Sequence, residues 1–180
     1  MIMGQLKMVN EAVYQAEDKI VSLNKTDVQF LKERLDKTGL KRIRICAHKN
    51  TGDTLQEMLI AFARGSYIQP SKHIDKEESM HILEGWADFI FFDEKGHITH
   101  VIPVGDPSTG RQVYCRTPNE TYHTLLIRSD YFVIQETTQG PFKRSDTVFT
   151  DWAPEDKDTK AVDQYLKDLS VRIEKFQKSN

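Results

Sequence analysis

From Lys41 onward the apolar residues stop recurring at helical spacing and begin to alternate. That change of period limits the fold more than any other feature of the chain. Arg42, Arg44 and Cys46 alternate with Ile43 and Ile45, so an extended segment here has one polar and one apolar face. Further extended candidates follow at 55–63, 80–92, 98–104, 112–116, 123–128 and 131–136. Asp93-Glu94-Lys95-Gly96 reads as a turn, and 105–110, with Pro107, as a loop. Many short strands with regular turns predict a mainly all-β chain, folded as a sandwich or a small barrel. No internal repeat or low-complexity tract interrupts the series.

The flanks read differently. Thr26-Asp27-Val28-Gln29 has the form of a capping box, a Thr for exposed amides answered by a Gln three positions on. Val28, Leu31 and Leu35 follow at helical spacing, and Gly39 ends the predicted short N-terminal helix. After Gly140-Pro141-Phe142 the strand pattern stops, and 151–155 reads as a strap packed onto the body. Val162, Leu166, Leu169, Ile173 and Phe176 then mark a C-terminal amphipathic helix. Its apolar stripe suits either its own barrel or a homodimer contact. The expected organisation is an N-terminal extension over 1–39, a barrel over 40–140, and a strap with helix over 141–180.

Composition bounds the function classes. The 180 residues suffice for one domain with a full core, and 29% of them are charged. A net charge of −2 gives no support for nucleic acid or an anionic membrane as partner. Cys46 and Cys115 stand alone, which suits free thiols in a reducing cytoplasm. No run has the length of a membrane span or the form of a signal peptide. The expected protein is therefore cytoplasmic, with a small-molecule ligand as partner.

Two spaced motifs carry the candidate chemistry. The first runs Gly65-Ser66-Tyr67, Pro70-Ser71-Lys72-His73, Glu78 and Gly85; the second is Pro118-Asn119-Glu120-Thr121-Tyr122-His123. By strand alternation Ser71 shares a face with His73, Glu78 with Met80 and Ile82, and His123 with Leu125 and Ile127. His73, Glu78 and His123 then form a two-His-one-carboxylate set in a largely apolar barrel. Such a set suits iron(II), and manganese, nickel or zinc would also fit. His81 falls on the face opposite Glu78, and His97 and His100 flank the turn after Asp93, where solvent is the expected neighbour. Cys46 and Cys115 read as core residues.

These motifs resemble the two signature motifs of the cupin superfamily. A closer resemblance, from Arg42 to Glu155, is to the WbuC family of cupin-fold metalloproteins. It is carried by Arg42, Cys46-Ala47-His48, Gln56-Glu57-Met58, Gly65-Ser66-Tyr67, Pro70-Ser71-Lys72-His73, Glu78, Gly85 and 92–96. Tyr122-His123, Glu136, Gly140-Pro141 and Trp152-Ala153-Pro154 complete it. Two positions depart from the family: Ser71 stands where a first His is usual, and Tyr122 where Trp often precedes the second-motif His. The resemblance implies a double-stranded β-helix, or jelly-roll barrel, with a divalent metal pocket. It also implies a setting in bacterial surface-polysaccharide synthesis of the O-antigen type.

On this reading His73, Glu78 and His123 hold the metal, and Ser71 orients a water at the fourth position. Gln56, His48, Arg42 and Tyr122 are further pocket candidates, with Gln56 reaching the metal or a substrate hydroxyl. Arg42 would clamp a carboxylate or phosphate bidentately; the alternative places Arg42 and Arg44 on a solvated strand edge. Three functions stay open: a metal-dependent enzyme acting on a sugar or sugar nucleotide, a non-catalytic sugar- or metal-binding regulator or scaffold, and a metal-free sugar-nucleotide isomerase.

Overall fold

The computed structural model describes residues 5–179. A hairpin of β1 (Leu6–Asn10) and β2 (Val13–Ala16) opens the chain and is followed by α1 (Lys25–Thr38). Then come β3 (Arg42–Cys46), β4 (Leu55–Ala63), β5 (Ser71–His73), β6 (Glu78–Glu84), β7 (Trp86–Phe92) and β8 (Ile98–Gly105). β9 (Tyr114–Thr117), β10 (Tyr122–Ile127), β11 (Tyr131–Gln139), β12 (Thr147–Phe149) and α2 (Thr159–Ser179) complete it.

The strands form two sheets, in the orders β1-β2-β3-β4-β11-β6-β9 and β12-β5-β10-β7-β8. Apart from the β7-β8 hairpin, successive strands from β4 to β11 switch sheets, so that β4-β11-β6-β9 faces β5-β10-β7-β8. That order defines a jelly-roll barrel, the fold class the sequence predicts. Among the described residues every strand pairing is antiparallel except β2 with β3, and an isolated parallel bridge joins Val104 to Gln112.

Alternation explains which residues fill the barrel. Ile60, Phe62, Met80, Ile82, Phe132 and Ile134 from one sheet meet Phe89, Phe91, Leu125 and Ile127 from the other. Each such side chain, fully removed from water, contributes roughly 1.5–3 kcal/mol. The outer faces are apolar where a helix covers them. Leu31 and Leu35 of α1 pack on Ile43, Ile45, Leu59, Ala61 and Val133. Leu169 and Ile173 of α2 pack on Ile90, Phe92, Tyr122 and Leu126, so the apolar stripe of α2 lies on its own barrel. Among the described residues no helix is long and apolar enough to cross a membrane.

The structure departs from the sequence reading at four places. Residues 6–16, weakly patterned in sequence, add two strands to the larger sheet. Residues 147–149, beyond the expected end of the pattern, pair with β5. The apolar run 80–92 is two strands, divided at Gly85. There φ is +78°, and a Cβ would lie 2.1 Å from the Tyr131 carbonyl oxygen, so glycine is required to turn the corner. The N-cap of α1 is Asn24 rather than Thr26: Asn24 accepts from the Thr26 amide at 2.7 Å, while Asp27 accepts from the Asn24 amide at 2.7 Å. The expected C-cap holds, with Gly39 in the left-handed conformation.

Replacing the true cap should therefore be the costly change. Asn24→Ala is expected to lower stability by about 1 kcal/mol. Thr26→Ala, at a position whose side chain caps nothing, should cost measurably less. Urea denaturation of the two variants checks the assignment, and the reverse order would refute it.

Candidate metal centre

The barrel brings the three ligand candidates together from three strands and both sheets. β5 and β10 are neighbours, with Ser71 opposite His123. Glu78 begins β6 in the facing sheet, where its inward side follows the same alternation as Met80 and Ile82. One Glu78 carboxylate oxygen lies 2.8 Å from His123 Nε2, and the other lies 3.3 Å from His73 Nε2. His123 Nδ1 lies 2.8 Å from the Thr121 carbonyl oxygen, to which it donates. His73 Nδ1 is 3.3 Å from Thr147 Oγ1, on the strand the sequence reading lacked. Outer partners of this kind orient a ligating imidazole and leave Nε2 facing the pocket.

The donor set fits a divalent ion. One donor atom from each of the three residues lies within 4.8 Å of the others. Ligands at about 2.1 Å from an ion and at right angles to one another are about 3 Å apart, close to the separations the carboxylate already holds. Two imidazoles and one carboxylate suit iron(II), manganese, nickel or zinc. Ser71 is buried and lines the same cavity; its neutral hydroxyl is a weak ligand for these ions.

Electrostatics tie the three groups to one another. Burial pushes the Glu78 carboxyl up, but the attraction and hydrogen bonds of His123 and His73 outweigh it and hold it well below the usual range. Burial pushes His123 down, and Glu78 more than offsets this, so its imidazole stays protonated above its ordinary pH. Without a metal the set is an ion pair; an ion would displace the proton from Nε2.

The three residues lie in a cavity of about 750 Å³. Arg42 and Arg44 line it, because Ile43 and Ile45 face α1 and so direct their neighbours inward. β3 is not an edge strand, but Arg42 is still exposed at the rim, while Arg44 is half-buried. Glu136 also lines it, following Ile134 on the inner face of β11. Arg144, Thr147, Phe149 and Thr150 extend the wall, and Glu155, Asp156 and Lys157 from the strap reach the mouth. The strap is anchored by Trp152 against Phe92 and Tyr122 and by the Tyr67 hydroxyl donating to the Pro154 carbonyl at 2.7 Å. Glu136 and Arg44 were not singled out as site residues from sequence, although parity with Ile134 and Arg42 puts each on the inner face.

Three other candidates lie outside the cavity wall, which corrects their expected roles. Gln56 is buried, but its amide donates to the Asn50 and Asp53 carbonyls at 3.1 and 2.8 Å, closing a loop of its own. His48 Nδ1 accepts from the Glu57 amide at 3.1 Å and bridges neighbouring strands. Tyr122 precedes His123 and so faces the opposite side of β10, under α2 and below Lys72. His81, His97 and His100 are exposed, as expected.

The family described as Domain of unknown function (DUF6016) matches residues 23–104. No curated protein is similar enough in sequence to match. Among solved structures, a protein from Shewanella oneidensis is similar over 57% of this chain and 66% of its own, with 11% identity and a TM-score of 0.47. A cupin superfamily protein from Desulfitobacterium hafniense is similar over 54% of this chain and 76% of its own, with 17% identity and a TM-score of 0.43. The capsular polysaccharide assembling protein CapF from Staphylococcus aureus shares 17% identity over 61% of this chain, which spans 31% of CapF, with a TM-score of 0.46.

Glu136 gives the site a pH signature. Burial, and then repulsion from Glu78, push its carboxyl up to about 7, against the pull of Arg44, His73 and Arg42. The folded chain thus holds this proton where the unfolded chain, with glutamate near about 4.3, has lost it. Its contribution to stability is full below that lower value and is lost as pH rises through about 7. In chelator-treated protein, Glu136→Gln should leave the melting temperature little changed near pH 4 and raise it at pH 8. A variant whose melting temperature tracks the wild type across this range would refute the assignment.

Proposed function

We propose that this chain is a metal-binding cupin of the WbuC type whose cavity binds and acts on a sugar or sugar nucleotide in surface-polysaccharide biosynthesis. The observation that carries the reading is the convergence of His73, Glu78 and His123 at the wall of a 750 Å³ cavity. Three protein ligands leave coordination positions for water or substrate. When bound, the ion would supply Lewis acidity toward a carbonyl or hydroxyl oxygen of the ligand. The protein's own part is to hold the two imidazoles by Thr121 and Thr147, and to place Glu136 on the wall as a carboxyl able to take or give a proton near neutral pH. Arg42 and Arg44 supply fixed positive charge to the same space.

A second reading draws on the short contact between Glu78 and His123. A carboxylate 2.8 Å from an imidazole is a ready general-base pair without any ion, as a metal-free isomerase would use. A non-catalytic regulator or scaffold would need the cavity but no turnover.

Metal content of protein purified without chelator or affinity tag separates these readings. The expected result is close to one iron, manganese, nickel or zinc ion per chain, with most of it lost in His123→Ala and in Glu78→Gln. Wild-type protein that takes up no metal on reconstitution would sink the first reading. Turnover of keto-sugar nucleotides after exhaustive chelation would then favour the isomerase. Tight binding of such nucleotides without turnover would favour the regulator.

A further inference from the structure

β3 lies outside the four-stranded wall of the barrel, yet its inward face continues that wall. Arg42 stands opposite Phe62 of β4, and Arg44 opposite Ile60, both of which are core residues. Two guanidinium groups therefore project from a strand whose ladder neighbours are apolar. Among the described residues, neither lies within 4.0 Å of a carboxylate oxygen in an ion pair. Arg44 Nε is buried and has no hydrogen-bond partner. The two charges also oppose each other: burial, and then the repulsion of Arg44, hold Arg42 below its usual value.

Two adjacent cations without a contacting counterion are costly in a cavity, and an oxyanion with planar or tetrahedral oxygens relieves both. The carboxylates nearest in charge effect, Asp156 and Glu136, raise Arg42 only through space. Glu136, with its carboxyl pushed up to about 7, is only partly ionised near neutral pH and, among the described residues, makes no ion-pair contact with either arginine. Two strands, β4 and β11, separate β3 from Glu78 on β6. Three interstrand spacings at about 4.8 Å each put β3 on the order of 14 Å from β6, and a ligand bridges what remains of that span beyond the reach of the long arginine side chains.

We propose that Arg42 and Arg44 form an oxyanion subsite that holds a carboxylate or phosphate group of the ligand, whose other end meets His73, Glu78 and His123. This rests on the reading of the cavity as the ligand site. Arg44 is the inner anchor, with its unpartnered Nε available for a second, parallel hydrogen bond. Arg42, more exposed, closes the subsite toward solvent. Both phosphate-bearing sugars and acidic sugars present the required group.

The test uses the full chain, chelator-treated, with inorganic phosphate, pyrophosphate and glucuronate as probes in titration calorimetry. At least one probe should bind. Arg42→Gln and Arg44→Gln should each weaken it by about tenfold or more, and Arg44→Lys should fall between, since it keeps charge but loses the bidentate fork. Preference for the phosphates assigns a phosphorylated ligand, and preference for glucuronate an acidic sugar. Binding of no probe would overturn the proposal, as would binding that both Gln variants leave unchanged. Should Arg44→Gln fail to fold, Arg42→Gln at its exposed position decides alone. Metal content measured beside it keeps the two readings apart: a chain that retains metal but binds no oxyanion loses only this inference.

Discussion

The bridge from Glu78 to His73 and His123 is the interaction on which the barrel's interior depends. A carboxylate removed from water is expensive unless it is paired and hydrogen-bonded. Here both of its oxygens have a partner, and both partners come from the opposite sheet. The same contact therefore satisfies a buried charge, fixes β6 relative to β5 and β10, and holds three donor atoms at separations a divalent ion accepts. Removing one imidazole leaves a charge without its partner at the place where the two sheets meet. A bound cation would relieve the pairing while preserving the geometry, which is why structure and metal chemistry coincide at these residues.

The charged groups around this centre divide by depth. His123 is buried, Glu78, His73, Glu136 and Arg44 are half-buried, and Arg42 and the residues Glu155, Asp156 and Lys157 are exposed at the rim. Positions differ by sign: Arg42 and Arg44 stand together on β3, whereas Glu78 and Glu136 lie on β6 and β11. A ligand entering such a space is oriented before it is held, because its charged end has one favourable direction.

Much of the barrel was legible because strand alternation is a short-range signal. β4 runs over the predicted residues, and the inward faces of β6 and β10 carry Glu78 and His123 with the expected neighbours. What escaped has physical causes. β1 is exposed along almost its whole length, so it shows no apolar alternation. β12 has three residues, too few for a period. Gly85 sits within a strand-like run, with Ile82 and Leu83 before it and Trp86 and Ala87 after it, although it is the corner. Asn24 and Asp27 form the capping box two residues upstream of the Thr26 and Gln29 pattern, with an Asp in place of the usual Glu or Gln. The misassigned pocket residues teach a different lesson. Gln56 does face inward, but a nearby loop satisfies its amide, and only three-dimensional proximity reveals that. Tyr122 could have been excluded by parity alone, since adjacent residues on a strand point to opposite sides. The same parity argument would have joined Arg44 to Arg42.

The placement of α2 bears on more than the shape of the molecule. β10 carries His123 on one side and Tyr122 and Leu126 on the other, and that second side rests on Leu169 and Ile173. Arg128, just past β10, pairs with Asp88 of β7 at 2.7 Å and with Ser170 of α2 at 2.7 Å. The last helix of the chain is thus the backing plate of the metal-ligand strand. Anything that lifts it, whether a truncation, a proteolytic cut in the strap or a partner competing for its apolar stripe, would loosen a histidine on the far side of the sheet without touching the cavity.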